Sequence, residues 1–333
     1  MADVTQTLAL VTLAQSFRGN VVRQINRRAA FARSIKKTMG EGKNTAWVPE
    51  SSGALAETFS EGADAANFGS DAQASAILSW GQYRSNFHIS GLAMAGAGSS
   101  ESPLANRDLW MRNVENASGV LASTINADLY TGSSAIIGLD SAIGSVSNTY
   151  ATIERTSATY WRPYVVDPGV ATALSFAQIR TDLSTIYTNS GFQPDLAMVG
   201  PAVFATLGGL FDNTRRYVQE VRGPNGDITL DASYQALEVD GCLFVRDKDA
   251  PANSIYYLNS DYIELQVLAP KFPPAVQAMV QAVSAEDGFG AFPMGMNLER
   301  LAKNGDSERY MMKTYVQLVV RRPNAFGKRL NVA

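Results

Sequence analysis

An α+β fold is predicted by three features of the sequence. The stretch from Ser102 to Gly132 repeats apolar residues at helical spacing for longer than any other. The second half alternates capped helical patterns with short apolar runs of strand length. The terminal run "MKTYVQLVVRRPNAF" alternates Val316, Leu318 and Val320 inward, and such a strand must pair with strands from elsewhere in the chain.

With 333 residues, 46% apolar and 18% charged, the chain can bury a large core and suggests about two subdomains. No run approaches the roughly 18 apolar residues of a membrane span, and the N-terminus lacks the basic-then-apolar order of a signal peptide. A soluble intracellular product with no membrane partner is expected. The single cysteine, Cys242, forbids an intrachain disulfide and lies in "GCLFV", the setting of a buried small hydrophobe. The single histidine, His88, lies in "YRSNFHIS", where Tyr83, Phe87 and Ile89 fall on one strand face and Arg84, Asn86 and His88 on the other. A His-rich zinc site or a Cys/His pair cannot be built from one of each. Phosphate loop, GxSxG elbow and HExxH are all missing, and carboxylate pairs such as Glu238 with Asp240 are those of an ordinary solvated surface. No catalytic residue, cofactor site or metal site is assigned, and no enzymatic activity is expected.

The elements follow in order. From Val4 to Gly40 the chain carries Arg18, Arg23, Arg27, Arg28, Arg33, Lys36 and Lys37 with no acidic residue, although the net charge is −3. Such an arm points to nucleic acid or an acidic partner, or else to a solvated helix face. Val11, Ala14, Val21, Val22, Ile25 and Ala29 recur at helical spacing, so part of it is an amphipathic helix. From Asn44 to about Ser90 an extended "NTAWVPE" leads through a Gly/Ala/Ser-rich stretch and returns through "ILSWGQYRSNFHIS". The middle holds Glu50, Glu57, Glu61, Asp64 and Asp71, with no Lys or Arg before Arg84. A two-stranded arm with a flexible acidic tip is predicted, lying on a neighbouring chain because isolated hairpins are marginal in water.

Ser102 and Pro103 start the long helix; Trp110, Val114, Ala117, Leu121, Ile125 and Leu129 form its apolar stripe, and Gly132 closes it. At about 1.5 Å per residue it spans roughly 40 Å. Next comes "SNTYATIERTSATYWRPYVVDPG", a loop by composition that carries Arg155, Tyr160, Trp161 and Arg162. Large aromatics on a loop point to a partner; the alternative is an internally packed crossover with Trp161 in its own core. A helix over "SFAQIRTDLSTIYTNSG" takes Ser175 as cap and Gly191 as terminator. The strand "PDLAMVG", a helix from Pro201 to near Gly208 and Gly209, a hairpin around Gly223 to Gly226, and the strands "CLFVRD", "SIYYLN" and "YIELQVL" complete the half.

This order of parts resembles the tailed-bacteriophage major capsid protein family over nearly the whole chain. "ADLYTG", "GLDSAI" before "YATIERTSATYWRPYV", "PDLAMVGPAVFATL" and "YQALEVDGCLFVRDKDAPANSIYYLNSDYIEL" look like segments of such proteins. The resemblance implies an N-terminal arm over 1–43, an extended E-loop over 44–90, a peripheral domain with the spine helix over 91–167, and an axial domain over 168–270. Residues 271–333 supply the remaining axial-domain and C-terminal peripheral-domain segments.

It also implies self-association as hexamers and pentamers into an icosahedral shell around packaged double-stranded DNA, a portal at one vertex, a decoration or cement protein in some members, and assembly in the host cytoplasm into a virion. A separate scaffolding protein is expected because Met1 is followed almost at once by the arm. Arg155, Tyr160, Trp161 and Arg162 would contact a neighbouring subunit. Some members weld subunits through an E-loop lysine, but none occurs here between Lys43 and Lys248. A non-covalent shell is therefore expected, with Glu57, Glu61 and Asp64 against Arg107, Arg112, Arg321 or Arg322 of a neighbour and apolar contacts through Trp47, Leu55 and Phe59. An encapsulin-like compartment shares the fold, and a soluble hydrolase is the enzyme alternative.

Overall fold

The computed structural model describes residues 30–51, 58, 60–61, 72–98, 104–133, 135–145, 147–212, 236–268, 296–303 and 305–333. The chain divides into two compact units, residues 1–32, 81–126 and 267–316 in the first and residues 33–80, 127–266 and 317–333 in the second. The elements begin with α1 (Ala30–Ser34), β1 (Lys36–Gly40), β2 (Asn44–Trp47), β3 (Glu50–Ser51), β4 (Ala72–Gln73), β5 (Ala76–Ser79) and β6 (Gly81–Ser90). Then come α2 (Gly91–Gly98), α3 (Leu104–Thr131), α4 (Leu139–Ala142), β7 (Thr149–Tyr150), β8 (Ile153–Glu154), β9 (Tyr164–Val166) and α5 (Phe176–Ser190). The chain ends with β10 (Leu196–Val199), α6 (Pro201–Asp212), β11 (Ala236–Val239), β12 (Cys242–Arg246), β13 (Ile255–Leu258), β14 (Ile263–Leu268), β15 (Asn297–Leu301), β16 (Ser307–Val320) and β17 (Gly327–Arg329).

In the first unit, β6 and β15 flank β16, both antiparallel, with Phe87 opposite Tyr310 and Arg300 opposite Tyr310. The alternation read from "YRSNFHIS" sets the faces: Ile89 is buried while Arg84, Asn86 and His88 are exposed. Phe87 stacks on Tyr310 with ring centroids 5.2 Å apart. The long helix α3 buries Val114, Ala117, Leu121 and Ile125 at the predicted spacing. Asn126, also buried, accepts a hydrogen bond from Ala32 N at 3.1 Å, which satisfies both groups away from water. The predicted helix through Ala29 and the hairpin around Gly223 lie outside the described residues.

The second unit holds a six-stranded sheet in the order β11-β12-β10-β13-β17-β9. β10 pairs with β12 in parallel and with β13 antiparallel. β17 lies antiparallel to β13 and parallel to β9. Every residue of β10 and β13 is buried, so these strands read as unbroken apolar runs and not as alternations, as befits a sheet covered on both faces. Ile179, Leu183 and Ile186 of α5 and Val203, Phe204 and Leu207 of α6 pack with Phe244, Ile255 and Tyr257 in one core. Cys242 belongs to it, fully buried, and burial pushes its thiol pKa up, so the thiol stays protonated.

Local signals set the ends of α5. Ser175 Oγ accepts from Gln178 N while the Gln178 side chain accepts from Ser175 N, a complete capping box, and Gly191 closes the helix at φ +77°, where a side chain would be strained. Two boundaries differ from expectation. Helix α6 runs through Gly208 and Gly209 to Asp212, at roughly 1 kcal/mol for each glycine. The returning strand of the arm breaks at Trp80, whose Nε1 donates to Gly42 O at 3.1 Å. β5 pairs with β2, while β6 pairs with β16, so the ribbon of the arm ends at Ser79 and residues 81–90 belong to the first unit.

A buried ion pair closes the sheet. Asp182, at 0% exposure, receives Arg329 Nε and Nη2 at 2.6 Å each, the Tyr257 hydroxyl at 3.0 Å and the Tyr164 hydroxyl at 3.3 Å. The Asp182 carboxylate raises the Arg329 pKa further, so the guanidinium keeps its charge at every practical pH. Asp182→Ala is expected to lower folding stability by about 3–5 kcal/mol, because it leaves a buried guanidinium without its counter-charge. Urea denaturation followed by circular dichroism measures this, and a loss under 1 kcal/mol would contradict the assignment.

Candidate functional site

The aromatic loop of residues 147–169 is built from its own core outward. β7 and β8 form a two-residue hairpin with Thr149 opposite Glu154 and Tyr150 opposite Ile153. Its turn residues, Ala151 and Thr152, have φ of 51° and 69°. From β8 the chain enters Arg155, fully buried, whose Nε donates to Trp161 O at 3.3 Å, Nη1 to Ser141 O at 3.1 Å and Nη2 to Ala142 O at 2.5 Å. The last two are carbonyls at the C-terminal end of α4, where a cation is favoured. Arg155 has no carboxylate in this set; its guanidinium carbon lies 5.7 Å from the Tyr150 ring centroid instead. Burial lowers its pKa to about 10, which still leaves it charged at neutral pH.

Trp161, 1% exposed, donates from Nε1 to Tyr150 O at 3.2 Å and stacks on Tyr150 with centroids 6.1 Å apart. Trp47, at the root of the arm, completes the cluster at 6.4 Å from Tyr150 and 6.3 Å from Trp161, and its Nε1 donates to Arg321 O at 3.3 Å. The Tyr150 hydroxyl accepts from Val320 N at 2.9 Å, and burial raises its pKa well above the ordinary tyrosine value.

The neighbour contact expected of Arg155 and Trp161 is therefore corrected. Both side chains are enclosed by their own chain, as in the alternative of an internally packed crossover, and present no surface to another subunit. Tyr160 and Arg162 are half-buried. Tyr160 packs edge-on against Trp161, and Arg162 is spread over its own loop through Nε to Arg155 O at 2.6 Å and Nη2 to Thr156 O at 2.7 Å. With Pro163, Tyr164, Asn189 and Asn324 they line a groove of about 450 Å³.

Two of the four expected basic acceptors are engaged at home. Arg321 is paired with Glu264 through Nη2 at 2.7 Å and Nε at 3.0 Å. Arg322 lies 4.6 Å from the Phe192 ring centroid and 5.8 Å from that of Tyr262, and donates to Ser190 O at 3.2 Å. Arg112 is exposed on α3, on which Arg107 also lies. In the basic arm Arg33 and Lys36 are exposed and Lys37 half-buried; in the acidic arm Glu61 is exposed and Trp47 half-buried. Arg18, Arg23, Arg27, Arg28, Leu55, Glu57, Phe59 and Asp64 lie outside the described residues. The residues that sequence reasoning missed are Tyr150, which touches Trp47, Trp161 and Arg155 and bonds Val320 N, and the Ala151–Thr152 turn, which carries no Asn-Gly signature.

Among the described residues no group of three or more His, Cys, Asp or Glu could hold a metal ion, and no helix is long and apolar enough to cross a membrane.

Residues 4–333 match the family described as SU10 major capsid protein. The fold is similar to a chain of the cyanophage A-1(L) capsid asymmetric unit, with a TM-score of 0.74 at 18% identity over 96% of this chain and 97% of the other. It is also similar to a capsid chain of a native GTA particle, with a TM-score of 0.57 at 11% identity over 98% and 99%. The holo-SrpI encapsulin from Synechococcus elongatus PCC 7942 shares it with a TM-score of 0.53 at 13% identity over 100% and 96%. Among curated proteins no sequence matches the chain.

Trp161→Ala is expected to cost about 3–5 kcal/mol of folding stability, the scale for emptying a buried aromatic site. Tyr160→Ala is expected to stay within about 1 kcal/mol, since the residue is only half-buried and lies at the edge of the cluster. Thermal and urea unfolding of the two variants side by side checks the difference, and equal losses would refute the internal core.

Proposed function

The chain belongs to the SU10 major capsid protein family, and we propose that many copies of it associate as hexamers and pentamers into an icosahedral shell around packaged double-stranded DNA. The observation that carries this reading is the family match along residues 4–333, joined to a capsid fold. A portal at one vertex, a separate scaffolding protein, and a decoration or cement protein are the partners such a shell calls for. Assembly takes place in the host cytoplasm, and the finished protein resides in the virion.

Exposed apolar groups near the arm support contact with another copy. Met39 is 57% exposed, Val48 54% and Ile77 38%, all on or beside the strands that carry the arm. Covering such side chains would gain about 25 cal/mol for each square ångström removed from water. The acidic tip of the arm, Glu57, Glu61 and Asp64, adds pairs worth about 0–1 kcal/mol each when exposed, so apolar contacts and repetition carry the shell. Arg112 stays open to such pairing, with Arg107 on the same helix, whereas Arg321 and Arg322 would first have to leave their own partners. The basic segment that ends in Arg33, Lys36 and Lys37 suits the inner face, where the polyanion or an acidic scaffold lies.

The encapsulin fold match keeps a second reading in view, in which the shell encloses a cargo protein. Electron microscopy of the expressed protein with its scaffold, followed by nuclease treatment, separates the two. Closed shells that protect double-stranded DNA are expected; shells holding only protein would favour the compartment, and a monomer that forms no shell would overturn both. Boiling mature particles in detergent with reductant is expected to release one band near the 35.8 kDa monomer, because no lysine lies between Lys43 and Lys248. A ladder of covalent oligomers would contradict a non-covalent shell.

A further inference from the structure

The β7–β8 turn places two consecutive non-glycine residues in the left-handed region, Ala151 at φ 51° and Thr152 at φ 69°. A two-residue hairpin favours this geometry because it follows the twist of the strands, but Asn-Gly adopts it readily and a β-branched threonine does not. Strain of this kind persists only where the surroundings over-determine it. Here the surroundings include β5. The Ala151 carbonyl accepts from Ile77 N at 3.0 Å, and Thr152 Oγ1 donates to Ser75 O at 3.0 Å. β5 thus has β2 on one side, with Ala46 opposite Ile77, and the turn on the other. Ala151 is buried at 3% exposure, so its carbonyl has no water to fall back on.

We infer that the Ala151–Thr152 turn is a strained latch for the root of the arm. β5 holds the turn in an unfavourable conformation, and the turn in return sets where residues 75–77, and with them the arm, depart from the loop. Ala151 and Thr152 are positioning residues: they act through the strand they hold. Strain works against the two hydrogen bonds, so the root opens more readily than an unstrained turn would permit, as a local unit separate from the core around α5. The use of this latch, presentation of the arm to another copy, rests on the capsid reading.

Hydrogen exchange of the Ile77 amide in the unassembled chain tests the latch without reference to assembly. Ala151→Gly relieves the left-handed strain at the buried position while keeping the Thr152 donor, and is expected to slow Ile77 exchange by about fivefold. Thr152→Val keeps the branch but removes the donor, and is expected to speed it by about fivefold. The Leu183 amide in α5 should not change in either. Unaltered exchange at Ile77, or equal changes at Ile77 and Leu183, would overturn the latch. Particle formation is then followed by electron microscopy. Thr152→Val is expected to form shells at least severalfold more slowly, and shells at the unsubstituted rate from a variant with altered Ile77 exchange would overturn the positioning role. If the unsubstituted chain forms no shell while Ile77 responds as expected, the capsid reading fails and the latch stands.

Discussion

The second unit depends on one buried charge pair. Asp182 and Arg329 lie 147 positions apart in sequence and meet where Asp182 is fully buried and Arg329 nearly so. A lone carboxylate there would cost several kcal/mol; a bidentate guanidinium and two tyrosine hydroxyls replace the solvation it loses. The pair fixes β17, and β17 is the strand that joins β13 to β9. Among the described strands β17 is the neighbour of β9, to which it is tied by Tyr164 N donating to Phe326 O and Leu330 N to Val166 O. The aromatic loop ends at β9, so its exit is held by the last residues of the chain. Lys328, next to Arg329, reaches Asp140 Oδ1 at 3.2 Å and so places α4, whose terminal carbonyls Arg155 then gathers.

Two arginines thus solve burial in opposite ways. Arg329 takes a full negative charge, and the pair is neutral. Arg155 takes three carbonyl dipoles and an aromatic face, and remains a net cation, which is why its pKa falls while that of Arg329 rises. The second solution suits a loop. Carbonyls of residues 141, 142 and 161 have no strand to bond, and one planar fork satisfies all three at once. Lysine, with one nitrogen, could not span them.

What was legible in the sequence follows from how local the cause is. Ser175, Gln178 and Gly191 announce α5 because each capping bond joins residues within five positions of one another. The apolar stripe of α3 was likewise readable from spacing alone, whereas the alternation expected of Val316, Leu318 and Val320 is not kept, because Gln317 and Val319 between them are buried too. The break at Trp80 was not readable, because the choice between β2 and β16 as partner is made by strands that sequence does not place. The aromatic loop was misread for the same reason. Tyr, Trp and Arg have one composition whether they face a partner or each other; Arg155 is internal because Ser141 and Ala142 are folded back to it, and Trp47 joins from an element 114 residues before Trp161. The exposed part of the candidate surface is carried largely by residues of ordinary composition, Met39, Val48 and Ile77, which no pattern singles out.

The internal loop then explains how an arm can be aimed. An extended arm of ten residues out and ten back reaches at most about 35 Å from its root. Over that length an error of about 10° at the root would move the tip by roughly 6 Å, more than the whole range over which a hydrogen bond or ion pair acts. A flexible joint would scatter the tip over many positions and charge the ordering entropy to every contact it made. Packing the root against Trp161 and Tyr150, and bonding Ile77 to Ala151, moves that ordering cost into folding, where the core of the loop offsets it once. The aromatic residues that composition assigns to a partner are instead packed against one another, and they hold β2 and β5, the strands at the root of the arm, against the loop.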